Sequence, residues 1–260
     1  LHRYNTAPGE TAETALLEQE FAAFTGARYA LAVASGGYAL GCALRALGVG
    51  PGDAVLTNAF TLAPVPGAIA AVGARPVYVG VTEALVIDLD DLAAKLDQAR
   101  VLMLSHMRGH ICDMDRLMAL CDAAGVVVIE DCAQAHGATC KGRSIGSIGH
   151  VGAWSFCQDK IMTTGGEGGM VTTQDAELAK KIALLRSHGV TRDADLLEHA
   201  PEGGWYYEQV DLGYNYRITD VQAALGASQL ERIDTMQAER AGRADRYDEI
   251  LADLPLKLPK

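Results

Sequence analysis

No stretch of this chain reaches the ~18 consecutive apolar residues of a membrane-spanning helix, so no membrane span is expected. Positive charge is scarce as well: 22 Lys and Arg stand against 33 Asp and Glu, a formal net charge of -11. An acidic chain repels phosphate backbones and anionic lipid, which makes nucleic acid and membranes poor partners. Any anionic ligand must then be met by local cations or backbone donors, against the overall field. The six cysteines (Cys42, Cys112, Cys121, Cys132, Cys140 and Cys157) form no C-x-x-C pair, and no signal peptide is expected from the opening residues. Reduced, mostly buried thiols in a cytoplasmic protein are the expectation. His106 and His110 are four apart, but Gly109 lies between them and no acid or Cys stands at ligand spacing. No metal is expected there. Internal repeats and low-complexity segments are missing too.

What the chain does have is alternation. Its 260 residues, 49% hydrophobic, suit one large α/β domain or two small ones. Residues 1–10 read as an extended arm punctuated by Pro8-Gly9, and 10–24 as an amphipathic helix ending near Gly26. Short apolar, β-branched runs predict strands over 29–34, 54–57, 75–81, 101–105 and 126–129. Helices are expected between them, over 38–47, 60–72, 90–96 and 115–124. The second of these starts near Pro64 or Pro66, because proline is tolerated only in a first turn. Strand–helix alternation favours right-handed crossovers and a mostly parallel sheet with helices on both faces. Beyond it, 170–173 reads as an antiparallel strand and 175–185 as a helix capped by Asp175. Residues 190–210 read as a long surface loop, followed by helices over 221–233 and 238–251.

Residues 125–169 carry the chemistry. The strand over 126–129 closes on Glu130-Asp131, placing an acid at the strand edge where open α/β sheets meet ligands. A second apolar run, 151–154, ends in Ser155; Lys160 follows, then Gly165-Gly166-Glu167-Gly168-Gly169. Each piece alone has an ordinary reading: a solvated lysine, a helix-capping acid, a flexible loop. Together they fit one cofactor. A lysine amine condenses with an aldehyde to a Schiff base. An aspartate opposite a pyridine nitrogen keeps that nitrogen protonated. A serine beside a glycine turn holds a phosphate. These are the needs of pyridoxal 5'-phosphate (PLP). Ser35-Gly36-Gly37, between a strand and a helix, is a second phosphate-cradle arrangement.

The stretch resembles the DegT/StrS-type PLP-dependent sugar aminotransferases of the fold-type-I, aspartate aminotransferase-like superfamily. The resemblance rests on Glu130-Asp131-Cys132-Ala133-Gln134-Ala135-His136-Gly137-Ala138, on Lys141-Gly142 through Gly149, and on Ser155-Phe156 through Lys160 to Gly166-Glu167-Gly168-Gly169. Gly213-Tyr214-Asn215-Tyr216-Arg217-Ile218-Thr219-Asp220 extends it, and it covers nearly the whole chain. It implies a fold-type-I large domain over 1–235, with 236–260 a linker helix and the start of a truncated C-terminal small domain. It implies Lys160 as the catalytic, cofactor-bearing lysine and Asp131 against the ring nitrogen. It places Gln134 on the ring's 3-oxygen side, and Ser155, Gly36, Gly37 and a partner subunit's copy of Asn215 on the phosphate. Two positions depart from the family pattern: Gly37 replaces a threonine, and Leu62 stands where an aromatic residue stacks on the ring. The implied reaction moves an amino group from an amino acid, glutamate in most of the family, to a keto-sugar, in a homodimer with shared sites. Cyclitol and aminobenzoate-type members carry the same motifs, and a catalytically weak regulatory PLP-fold protein is the rival class. The sugar dehydratases of the family have His in place of the lysine, which Lys160 argues against. Arg217, His188 and Arg108 are further candidates for substrate carboxylate or phosphate contacts.

Overall fold

The computed structural model describes residues 11–203, 205–256 and 258; the expected N-terminal arm lies outside them. The first helix, α1 (Glu13–Thr25), ends at Gly26, whose left-handed φ of 70° terminates it. Then β1 (Tyr29–Val33), α2 (Gly36–Ala46), β2 (Ala54–Asn58), α3 (Pro64–Ala71), β3 (Arg75–Val79), α4 (Leu89–Ala93), β4 (Val101–Ser105), α5 (Met114–Ala124) and β5 (Val127–Asp131) alternate along the chain. The small strands β6 (Thr139–Cys140) and β7 (Arg143–Ser144) pair with each other, and β8 (Val151–Ser155), β9 (Gly169–Thr173) and α6 (Ala176–Arg186) follow.

One seven-stranded sheet has the order β1-β9-β8-β5-β4-β2-β3. All its pairings are parallel except those of β9, which runs antiparallel between β1 and β8. Gly169 opens β9 in a tight space: a Cβ there would lie 2.6 Å from the Ser35 carbonyl oxygen and 2.7 Å from that of Trp154. Only glycine lets the three backbones approach so closely.

Side-chain alternation along the strands splits the core into two layers. Leu56, Leu102, Leu104, Val128, Trp154 and Met170 pack with α1, α4 and α5 on one face. Val55, Val101, Met103, Ile129, Val151 and Val171 pack with α2, α3 and α6 on the other. The central strands β4 and β8 are buried along their whole length, as a sheet covered on both faces requires.

Two stretches differ from the sequence expectation. The expected loop over 190–210 contains an antiparallel ladder between β10 (Val190–Thr191) and β11 (Glu208–Gln209). Glu208 fastens it, accepting from the Glu198 N–H (2.6 Å), the Tyr206 hydroxyl (2.7 Å) and the His199 N–H (3.1 Å). These donors, Tyr206 first, pull the Glu208 carboxyl down to about 2. Farther on, α7 (Asp220–Leu230) begins with a reciprocal capping box of Thr219 and Gln222. The last helix, α8 (Ile233–Leu251), starts well before the expected residue 238. No glycine or proline interrupts 231–238, and burial of Ile233 against α7's side of the core lets the helix run on. The expected domain boundary at 235–236 thus falls inside its first turn. Among the described residues no helix is long and apolar enough to cross a membrane.

Candidate active site

The C-terminal ends of β1, β2, β5 and β8 open into one cavity of about 270 Å³ whose lining includes Gly36, Gly37, Leu62, Asp131, Ser155 and Lys160. Alternation explains which side chains arrive there. Asp131 is in step with Ile129 on β5, and Ser155 with Val151 and Ala153 on β8, so both face the α2 side. Glu130, one residue earlier, must face the other way.

Asp131 is almost fully buried. The Ser105 hydroxyl donates to its Oδ2 at 2.8 Å, and the Ala133 N–H to its Oδ1 at 3.2 Å. Asn58 fixes Ser105 from β2: its Oδ1 accepts the Ser105 N–H (2.8 Å) and its Nδ2 donates to the Ser105 carbonyl (3.1 Å). Burial pushes the Asp131 carboxyl up; the Ser105 and Ala133 hydrogen bonds, and beyond them the Lys160 charge, pull it down without cancelling the rise. The site thus holds a desolvated acid that a cationic partner would stabilise as the anion.

Behind it, Glu130 is a fully buried hub. Its Oε2 meets His106 Nε2 (2.9 Å) and the Gly146 N–H (3.0 Å); its Oε1 accepts the N–H groups of Ile148 (3.0 Å) and Gly149 (2.6 Å). Burial alone would raise its carboxyl, but His106 and the backbone donors outweigh it and hold the group below its ordinary value. His106, Glu130 and Cys132 place their ligand atoms within 4.8 Å of one another. Four donors already take the roughly four acceptor positions of a carboxylate, so the cluster is built for hydrogen bonding rather than for a metal ion.

The cradle opposite comes from α2. Ser35 caps the helix by accepting the Tyr38 N–H (3.1 Å), while Gly36 and Gly37 occupy the first turn, where N–H groups have no partner within the helix. A Cβ on Gly36 would lie 2.6 Å from Ser155 Cβ, so glycine brings those free donors against the Ser155 hydroxyl. A Cβ on Gly37 would meet only Ser35 Oγ at 3.8 Å; that glycine is not required by space. Leu62 covers the mouth and is 41% exposed.

Lys160 also lines a second cavity of about 270 Å³, which shares Ala133 with the first and adds Arg108, Gln134, Asp159, Ile161 and Arg240. Gln134 therefore stands beside the first cavity rather than in its wall. Its Oε1 accepts the Arg108 N–H at 2.7 Å, which leaves the amide NH2 as its free donor. Asn215 lines neither cavity: it is exposed and forms a β-bridge with Ser187. Its neighbours are anchored near the cradle. Tyr216 stacks between Tyr38 of α2 (3.9 Å) and Tyr214 (4.7 Å), Arg45 lies over the Tyr214 ring, and the Tyr216 carbonyl accepts the Ala34 N–H. His188 and Arg217 line neither cavity. Sequence reasoning missed the roles of Ser105 and Asn58, and Arg240 altogether. Serine and asparagine at buried strand ends are a weak signal, and Arg240 carries none. A separate cleft of about 250 Å³ beside α6 contains Arg186, paired with Glu18, and none of the expected site residues.

This is an α/β protein with one composite cavity at the C-terminal edge of a mostly parallel sheet. A profile of the DegT/DnrJ/EryC1/StrS aminotransferase family matches residues 6–260, and the chain belongs to that family. It is 45% identical to an aminotransferase of known structure from Psychrobacter cryohalolentis, with a TM-score of 0.87 over 92% of this chain and 61% of that one. It is similar to Spr1654 of Streptococcus pneumoniae in its PLP form, at 30% identity and a TM-score of 0.85 over 94% of this chain and 65% of that one. It is 38% identical to the GDP-perosamine synthase of Caulobacter vibrioides over 94% of this chain and 63% of that protein. The chain spans only about six tenths of the length of the curated relatives it matches.

Proposed function

We propose that this chain forms the cofactor-binding part of a PLP-dependent aminotransferase that transfers an amino group from an amino acid, glutamate by the family resemblance, to a nucleotide-linked keto-sugar in amino-sugar biosynthesis. The observation that carries this reading is that Lys160, the buried Asp131 and the Gly36–Ser155 cradle share one cavity. The parts fit PLP. A desolvated acid suits a protonated ring nitrogen, and free first-turn N–H groups beside a serine hydroxyl suit a phosphate in a chain of overall negative charge. The similarity to a GDP-perosamine synthase supports a sugar nucleotide as acceptor.

PLP would supply an aldehyde and a ring that takes up an electron pair. The residues of this chain do the rest. The Lys160 amine would hold the aldehyde, and its Nζ, facing both cavities, would serve as the base for a proton on the donor's α-carbon. The Asp131 carboxylate, held by Ser105 and Ala133, would keep the ring nitrogen protonated. Gln134, beside the cavity, would offer its Nε2 to the ring's 3-oxygen side, as the family resemblance implies. The Gly36 and Gly37 amides, Ser155 and, in a homodimer, the Asn215 side chain of the second copy hold the phosphate. Leu62 covers the ring with an aliphatic rather than aromatic face, at a cost of about 1 kcal/mol of stacking.

Absorbance spectroscopy tests the reading. Protein mixed with PLP should gain a visible band that borohydride bleaches and Lys160→Ala abolishes. A wild type that stays colourless after reconstitution would overturn it.

A further inference from the structure

The second cavity holds an unexpected set of charges. In a chain of net charge -11, Arg108 and Arg240 face the same space as Lys160, with Asp159 the one acid in the wall. Among the described residues neither guanidinium has an ion-pair or hydrogen-bond partner, whereas five other arginines pair with a carboxylate. What sets these two apart is their place: both line the cavity that Lys160 also lines.

Arg108 is also held in a left-handed backbone conformation, φ 55° and ψ 22°, which side chains other than glycine's rarely adopt. Gly109 and His110 do not require it by burial. What fixes it is the Arg108 N–H, which donates to Gln134 Oε1 at 2.7 Å. One short turn thus aims the guanidinium into the cavity and orients the Gln134 amide beside it. The second arginine comes from a different element, the exposed α8, and converges on the same space.

We infer that Arg108 and Arg240 form the subsite for the α-carboxylate of the amino donor; this rests on the aminotransferase reading above. Position selects the ligand. An amino acid's α-carboxylate is bonded to the same carbon as its reacting amine, so its subsite must abut the lysine the amine displaces. The second cavity abuts Lys160 and Ala133 directly. The diphosphate of a sugar nucleotide is attached several bonds from the keto carbon, so its cations must stand farther off. A guanidinium fork matches a carboxylate with two parallel hydrogen bonds, and two forks from different elements fix its orientation.

Equilibrium binding of glutarate, a dicarboxylate with no amine and no keto group, tests this by isothermal titration calorimetry on the PLP-loaded protein, with inorganic phosphate as the second probe. Arg108→Gly suits the left-handed backbone and removes the side chain without strain; Arg240→Gln sits on an exposed helix and leaves folding intact. Each should weaken glutarate binding roughly three- to tenfold, and the pair more than either, with a smaller loss for Arg240→Lys. Phosphate binding should change little. Unchanged glutarate affinity in both variants, or loss of phosphate binding with glutarate retained, overturns the assignment. The visible cofactor band, read on the same samples, separates this from the wider reading. If wild type and variants all take up PLP and glutarate is indifferent to both arginines, only the carboxylate subsite falls. If wild type takes up no PLP, the aminotransferase reading itself falls.

Discussion

Ser105 and Asp131 are paired Cα neighbours at the ends of β4 and β5, and the Ser105 hydroxyl reaches across to the carboxylate at 2.8 Å. The strand register itself therefore delivers a donor to the buried acid. Ser105→Ala removes a hydrogen bond to a charged group, worth ~1.5–3 kcal/mol. With that donor gone, burial acts less opposed and the Asp131 carboxyl rises further. The anion that PLP needs then forms only at higher pH. Spectroscopic titration of PLP at several pH values should show weaker binding whose onset shifts upward relative to wild type. An unshifted onset would mean Ser105 does not set the charge of Asp131.

Glu130→Ala should be among the most damaging single changes. It orphans His106 and the N–H groups of Gly146, Ile148 and Gly149 in a dry interior. Breaking such a buried charged set costs about 3–5 kcal/mol. Urea unfolding measures it, and a loss below about 1 kcal/mol would show that the 145–149 turn does not depend on this carboxylate.

Gly36→Ala places a methyl 2.6 Å from Ser155 Cβ and 3.1 Å from its Cα, in rigid backbone surroundings. Overpacking of this kind costs ~1–3 kcal/mol and would widen the cradle. Gly37→Ala would make only an ordinary van der Waals contact with Ser35 Oγ at 3.8 Å and should be tolerated. Comparing phosphate or PLP affinity of the two variants checks the contrast. Equal losses would contradict the geometry.

His136 links the core to pH. Burial against Trp154 and Phe156, and after it the Lys160 charge, depress the imidazole to about 3. A depressed histidine binds fewer protons folded than unfolded between its ordinary value and about 3. Stability from this group is therefore complete above pH ~6.5 and declines as pH falls, by up to ~1.4 kcal/mol per pH unit. His136→Phe keeps an aromatic body and removes the titration. Its urea midpoint should fall less steeply on acidification than that of wild type. Parallel slopes in this window would show that His136 is not the titrating group.

Much of this architecture is written locally. The strands at 101–105 and 151–154 were legible as short apolar runs, and the cap of α6 from Asp175. Asp131, Ser155 and Lys160 were legible because each closes or follows an apolar run, and all three line one cavity. What stayed hidden depends on pairing across distance. Nothing at Ser105 announces which strand lies beside β4, and nothing at Arg240 announces that α8 returns to the lysine. The ladder of β10 and β11 was unreadable because two-residue strands have no period, and it is closed by the side chain of Glu208. The early start of α8 turned on the burial of one residue, Ile233.

The reversed strand has a consequence for how the protein is made. β9 is the strip that joins β1 to β8, and it comes last in the sheet's order along the chain. A chain still emerging from the ribosome can pair β2 to β5 before residues 169–173 exist. The sheet closes across β1 only once that reversed strip has been made, so its longest-range pairing is also its latest.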